Sequence, residues 1–437
     1  MRTARLYQRK WLLIRLPVVI LAVAATFWLW LRVYPMPPSH LVITTAAADG
    51  AYYRHAKHYA ERFSEHGITL TVQTSAGSQQ NLERLRQSEA PADLALMQGG
   101  FGYLGTSLER RDRSRIETLA NVDVEAVWIF TRNREIDSLT QLQGLRVAIG
   151  PEGSGSRKVA LKLLEQARLD TKDLVLSPLT GSTAAQAMRQ NQLDVVLMVA
   201  ATDSFAVQNM LSLPGIQLVN LRKSAAITER NPYLESRLLA QGTLDTRLPP
   251  RDFTLLTTSA SLVAREDLHP ALKRLAIAVA METHSGGGLF HRAGDFPSLR
   301  RVDFPTAPQA RATLTQGLPL LERLLPFWWA QVVERMLVIA LPITLLALWL
   351  MQLIPAYMRW VLESRVNRWY GELKFIENDL GQASLSGLDL TRFLLRLNAI
   401  DKNLLQFPCP KDLMARCYTL HQHTEFVRQR LYRMRGR

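Results

Sequence analysis

The sequence predicts a two-lobed α/β domain framed by two transmembrane helices and followed by an α-helical tail. Three observations carry that expectation. Short apolar runs alternate with amphipathic segments over residues 38–330, which is the pattern of parallel α/β sheets, and it recurs too often for a single sheet. Two nearly uncharged apolar stretches, 11–31 and 336–354, approach the roughly 20 residues needed to cross hydrocarbon. The net charge of +15 is unevenly placed: +6 before residue 38, +3 over 38–330 and +6 after residue 355. Lys and Arg outside the two stretches mark cytoplasmic flanks around an exported segment. A nucleic-acid-binding chain would gather its basic residues in the folded domain, so no nucleic-acid partner is expected. At 437 residues and 47 % hydrophobic, with a mean hydropathy of −0.03, the chain is neither a disordered polymer nor a polytopic transporter.

Residues 1–10 read as a cytoplasmic N-terminus. Arg2, Arg5, Arg9, Lys10 and Arg15 lead into the first apolar stretch, 11–31. A cleaved signal peptide has the same basic start, but the small-x-small triplet Ala22-Val23-Ala24 lies inside the apolar run and bulky Phe27, Trp28 and Trp30 follow it. An uncleaved anchor is expected. The second stretch, Met336 to Ile354, has Phe327, Trp328 and Trp329 before it and Trp349, Tyr357 and Trp360 at its other end, as aromatic belts do. The main domain is then extracytoplasmic, both termini are cytoplasmic, and Cys409 and Cys417 fall in a reducing compartment. The expected address is a bacterial inner membrane.

Within the exported domain, strands are expected at Leu41–Thr45, Ile68–Thr74, Asp93–Gln98, Val124–Thr131, Arg146–Gly150, Leu174–Leu176, Asp194–Val199 and Ile216–Val219. Helices are expected over 51–65 and 79–88, and after Gly150, where Val159, Ala160, Leu163, Leu164 and Ala167 recur at helical spacing. The division is about 38–132 with 253–310 for the first lobe and about 133–252 for the second. The tail, 356–437, shows helical periodicity at Val366, Trp369, Tyr370, Leu373, Ile376 and Leu380, then at Phe393, Leu394, Leu397 and Ile400, and again at Leu413, Cys417, Leu420 and Val427. A small helical bundle or hairpin fits.

Three strand-to-helix turns carry the chemistry. The first, Thr44 to Tyr53, combines small residues with Tyr52 and Tyr53. The second, Thr74 to Asn81, has Gly77 and then Ser78 as an expected helix cap. The third, Gly150 to Ser156, offers Gly153, Ser154, Gly155 and Ser156 at a helix start. Free amides and hydroxyls at a helix N-terminus make a seat for a carboxylate or phosphate. Each turn alone is an ordinary capped turn; the three together read as a cleft for a small anionic ligand. An enzyme is not expected: there is no G-x-S-x-G elbow, and His284-Ser-Gly-Gly-Gly stands far downstream of the serines as a turn. His55 and His58 lack a third ligand at metal-site spacing and read as a solvated helix face. Asp93 and Asp194, at the start of two similar strands, read as structural. No Walker A motif, EF-hand loop or dinucleotide fingerprint occurs, and no cofactor or metal is expected.

The order Tyr52-Tyr53, then Thr74, Gly77-Ser78 and Asn81-Leu82, then Asp93-Leu-Ala-Leu-Met-Gln98 resembles the TAXI-type solute-binding proteins of tripartite ATP-independent periplasmic (TRAP) transporters. Gly144-Leu-Arg-Val-Ala-Ile-Gly with Gly153-Ser-Gly-Ser continues the likeness, and the segment from Leu255 looks like the family's return to the first lobe. It covers about residues 40–310, and the sequence around Leu325-Pro-Phe-Trp and Arg368-Trp-Tyr-Gly-Glu-Leu looks like a membrane-anchored branch. The resemblance implies a type II periplasmic-binding-protein fold closing on a small organic acid or amino acid for a TRAP permease, without catalysis. It carries binding positions to Tyr52, Ser78, Asn81 and Gln98 in one lobe and to Ser154 and Ser156 in the other. One departure stands out: the family's glycine- and threonine-rich first loop is Ala46-Ala47-Ala48-Asp49 here, and an aspartate would repel a carboxylate or select a cationic group. A sensor signalling through the tail is the alternative.

Overall fold

The computed structural model describes residues 35–87, 92–104, 115–132, 135–245, 248–382, 387–407, 409 and 413–435, with isolated positions before 35. It divides into two compact units, Phe27–Glu334, and Arg335–Arg437 with Met1–Thr26. The expected anchor 11–31 lies, but for isolated positions, outside the described residues.

In the larger unit the chain runs β1 (His40–Thr44), α1 (Ala51–Glu65), β2 (Thr69–Gln73), α2 (Ser78–Arg86), β3 (Leu94–Gln98) and β4 (Ile116–Arg132). It continues through β5 (Arg146–Ala148), α3 (Gly155–Gln166), β6 (Val175–Ser177), α4 (Gly181–Arg189), β7 (Val195–Ala201), α5 (Phe205–Leu211), β8 (Ile216–Leu218), α6 (Ser224–Arg230) and β9 (Glu235–Leu239). The return is β10 (Phe253–Arg265), then α7 (Pro270–His284) and α8 (Pro308–Gln316). The helix over 51–65 matches its expected bounds and the other expected strands and helices fall within a few residues of theirs, except that β4 begins at Ile116, eight residues before the expected Val124.

The strands described form one mixed ten-stranded sheet, which corrects the expectations of purely parallel sheets and of more than one sheet, because β4 and β10 run through both groups. Its order is β2-β1-β3-β10-β4-β7-β5-β6, with β8 on β4 and β9 on β10. β1 is parallel to β2 and β3, and β5 is parallel to β6 and β7. Between these groups run the two long strands β4 and β10, antiparallel to each other and to their outer neighbours β7 and β3. Each serves both groups: β4 pairs with β10 from Ile116 and takes up β7 only at Glu125. β10 pairs with β9 before it reaches β3. The β4–β10 register shifts at Ala260/Ser261 and Leu262/Val263, as at a bulge.

Separate apolar cores back the two groups. Leu41, Ile43, Tyr59, Phe63, Leu262, Leu272 and Ala276 pack together beneath β1–β3. Beyond β4, Val147, Val159, Leu163 and Leu197 form one cluster, and Trp128, Phe130, Met188, Val196 and Met210 another. Lys273 of α7 is buried yet satisfied, its ammonium paired with Glu117 and donating to Glu266 O at 2.7 Å.

Helix α9 (Phe327–Arg335) leads to a π-helical turn, Met336–Ala340. One helical stretch among the described residues, Phe327–Leu345, is long and apolar enough to cross a membrane. It begins earlier than the expected 336–354, some of whose side chains lie outside the described residues. The aromatic run also differs from a belt. Phe327 is buried in the core of β1–β3 and Trp328 packs against it, while Trp329 is exposed. In the smaller unit α10 (Leu341–Gln382), α11 (Gly387–Gln406) and α12 (Met414–Arg435) share a core of Val366, Leu373, Ile376, Leu397, Ile400, Leu420 and Val427. Cys409 and Cys417 are joined as a disulfide, not the thiols expected of a reducing compartment, because Cys409 packs against the helical core that Cys417 enters.

Candidate functional site

The turns after β1, β2 and β5 converge on one cavity of about 220 Å³. Ala46, Asp49 and Tyr52 reach it from the first turn, Ser75, Gly77 and Ser78 from the second, and Pro151, Ser154, Gly155 and Ser156 from the third. Gln98 at the end of β3, Glu125 of β4, Thr180 and Gly181 at the start of α4, and Met198–Ala201 of β7 complete the wall. These positions cluster at the carboxyl ends of parallel strands, where open α/β sheets bind ligands.

Seven of the ten residues expected at a binding site line this cavity: Tyr52, Gly77, Ser78, Gln98, Ser154, Gly155 and Ser156. Tyr53, Asn81 and Gly153 do not. Tyr53 lies on α1 with the Lys57 ammonium over its ring. Asn81 is fully buried and its amide is spent within the fold: it accepts from Thr44 Oγ1 at 2.8 Å and donates to Leu96 O at 3.0 Å and to Thr45 O. Gly153 uses its carbonyl to accept from Gln79 N at 3.1 Å.

That last contact revises the second turn. The cap of α2 is Gly77, at φ 134°, and Ser78 is the first helical residue, its Oγ accepting from Gln98 N at 2.9 Å. Gly77 tolerates this φ because it lacks a Cβ, and a Cβ would lie 3.0 Å from Ser154 Cα. Around the start of α2, Ala76 N donates to Gln80 Oε1, Gly77 N to Ser75 Oγ and Gln79 N to Gly153 O, while the amides of Ser78 and Gln80 have no partner among the described residues. The third turn thus caps the second at one amide, through the Gly153 carbonyl.

The third turn keeps its amides. Ser154 caps α3, accepting from Arg157 N at 3.2 Å and donating to Pro151 O at 2.7 Å. Ser156 Oγ accepts from Val199 N at 3.0 Å and ties α3 to β7. Both hydroxyls, expected to hold a ligand, are thus engaged by the fold. The amides of Gly155 and Ser156 have no partner among the described residues. The Gln98 side chain presses against Gly155 so closely that no Cβ fits there. Gln98 is 4 % exposed and its Nε2 has no acceptor among the described residues.

Glu125 is the residue that sequence reading missed. It is buried, lines the cavity and accepts from Tyr52 Oη at 2.7 Å. Burial pushes its carboxyl up to about 8, with the Tyr52 bond opposing and Asp123 adding to the rise. The Tyr52 phenol is raised for the same reason, burial first and Glu125 next. A lone acid within the apolar run Val124-Glu-Ala-Val-Trp-Ile-Phe was the available signal. Among the described residues, no Lys, Arg or His lines the cavity.

Nearby, His55 is not on a solvated face: its ring lies 4.7 Å from that of buried His284, whose imidazole is lowered to about 3 by burial and then by His55. Among the described residues no group of three or more His, Cys, Asp or Glu is placed to hold a metal.

A mixed sheet with convergent turns at its strand ends defines a ligand-binding α/β scaffold. Residues 43–284, more than half of the chain, match the NMT1-like family, and the chain belongs to that family. No curated protein matches it. Solved structures that it resembles include a protein from Bordetella bronchiseptica RB50, 16 % identical over 56 % of this chain and 70 % of that one, with a TM-score of 0.40. An ancestral arginine-binding protein bound to arginine is 14 % identical over 56 % and 93 %, with a TM-score of 0.36. The periplasmic aliphatic sulphonate binding protein SsuA from Escherichia coli is 17 % identical over 56 % and 70 %, with a TM-score of 0.33.

Proposed function

We propose that this chain is an extracytoplasmic solute receptor that closes two lobes on a small organic acid or amino acid and delivers it to a TRAP-type permease. The observation that carries the reading is the single cavity shared by the turns after β1, β2 and β5. In this reading residues 38–132 with 253–310 are one lobe, 133–252 the other, and β4 and β10 are the straps between them. Tyr52, Gln98, Gly155 and Ser156 contact the solute, and Gly77, Ser78 and Ser154 shape its seat. The chemistry is binding, not turnover: the serine hydroxyls are committed to backbone partners, and no His, Lys or Arg among the described residues lines the cavity to act as their base.

The stretch Phe327–Leu345 and the basic flanks support a tether at the bacterial inner membrane, with the receptor outside and the termini inside. A tether keeps the receptor close to its permease. The second reading is a sensor that signals through the C-terminal helices. What favours it is that those helices have a core of their own, which delivery does not require.

Native mass spectrometry of the purified chain tests the receptor: a stoichiometric small metabolite is expected, and a chain that never carries or takes up a solute overturns it. Removing 356–437 separates the two readings, since uptake survives the deletion in a receptor and the response is lost in a sensor.

A further inference from the structure

The cavity wall is chemically lopsided. Glu125 accepts from Tyr52 with one oxygen and has no cation beside it among the described residues; Asp49 stands exposed at the mouth, and Asp123 is the charged neighbour acting on Glu125. An acid buried in this way is stabilised as a carboxylate by an incoming positive charge, because no Lys, Arg or His among the described residues lines the cavity. At the α3 tip the requirement is reversed. Two amides, those of Gly155 and Ser156, and the nine-tenths-buried Gln98 Nε2 have no acceptor among the described residues and suit an anionic oxygen.

We infer that the solute is a zwitterion of the α-amino-acid class, its protonated nitrogen held by Glu125 and drawn in by Asp49, its carboxylate held by the amides of Gly155 and Ser156 and by Gln98 Nε2. This rests on the receptor reading and narrows it: a simple carboxylate would satisfy the α3 tip but bring no positive charge to Glu125. The volume, about 220 Å³, suits a small metabolite.

Isothermal titration calorimetry of the purified full-length chain tests it, with the twenty standard L-amino acids as probes and the des-amino acid of each as its control. At least one amino acid should bind, with its des-amino counterpart at least about tenfold weaker. Glu125→Gln should remove that preference by weakening the amino acid at least about tenfold. Asp49→Asn, at an exposed position, should fold normally and weaken the amino acid while sparing the des-amino acid. Equal binding of the two members of a pair, or proton uptake with a des-amino acid as Glu125 donates to its carboxylate, overturns the inference and leaves the receptor standing. Binding by none of the probes also overturns it, and the receptor is then judged by whether any other solute co-purifies.

Discussion

At the residue scale, Glu125 and His284 set opposite pH limits on the larger unit. The folded state holds the Glu125 proton to about pH 8, against about 4.5 for the exposed group. Its contribution to stability is therefore whole below about 4.5 and is lost as pH rises towards 8. At about 1.4 kcal/mol per unit, the loss is a few kcal/mol. Glu125→Gln keeps an acceptor for Tyr52, so it should melt with the wild type at pH 5 and several degrees above it at pH 8.5. A thermal melt at the two pH values checks this. His284 runs the other way. Its folded value is lowered to about 3 from 6.5, so its contribution is whole above 6.5 and is lost as pH falls towards 3. His284→Phe should flatten the fall in melting temperature between pH 6.5 and 4, provided that the facing ring of His55 still packs. An acid limb as steep as the wild type's would place the protonation elsewhere.

At the element scale, the two strand groups repeat one device. Asp93 Oδ2 at the foot of β3 accepts from Val42 N of β1 at 2.9 Å, and Asp194 Oδ2 at the foot of β7 accepts from Arg146 N of β5 at 2.9 Å. Each carboxylate terminates a parallel ladder by satisfying an amide that the neighbouring strand has left. Asp93→Ala should cost about 1–3 kcal/mol by orphaning the Val42 amide, whereas Asp93→Asn, which keeps an oxygen there, should cost much less. Chemical denaturation of both variants measures the difference. These aspartates were legible as structural because each precedes an apolar strand. The first half of β4 was not legible as a strand. Glu117, Asn121 and Asp123 interrupt its apolar pattern, and their partners come from afar: Lys273 for Glu117, and Ser261 Oγ and the Arg300 carbonyl for Asn121. Local pattern cannot show a partner more than a hundred residues away.

At the scale of the whole molecule, the division at Glu334 predicts independence. A chain ending at Glu334 should keep the larger unit's melting temperature to within about 2 °C, since its cores draw on no later residue. Calorimetry of the truncated and full chains checks this, and a large drop would mean that the tail stabilises the domain. The sequence by itself determined the alternation of strands and helices, the turns that carry the small residues, and the helical repeat of the tail, because each is a local periodicity or a local backbone preference. Only the tertiary structure decided that the sheet is mixed, that the third turn caps the second, and that both serine hydroxyls are spent on the fold. It also decided that Glu125 lines the cavity with no Lys, Arg or His among the described residues beside it. Those outcomes depend on which distant groups meet, and desolvation and hydrogen-bond satisfaction act only once they have met.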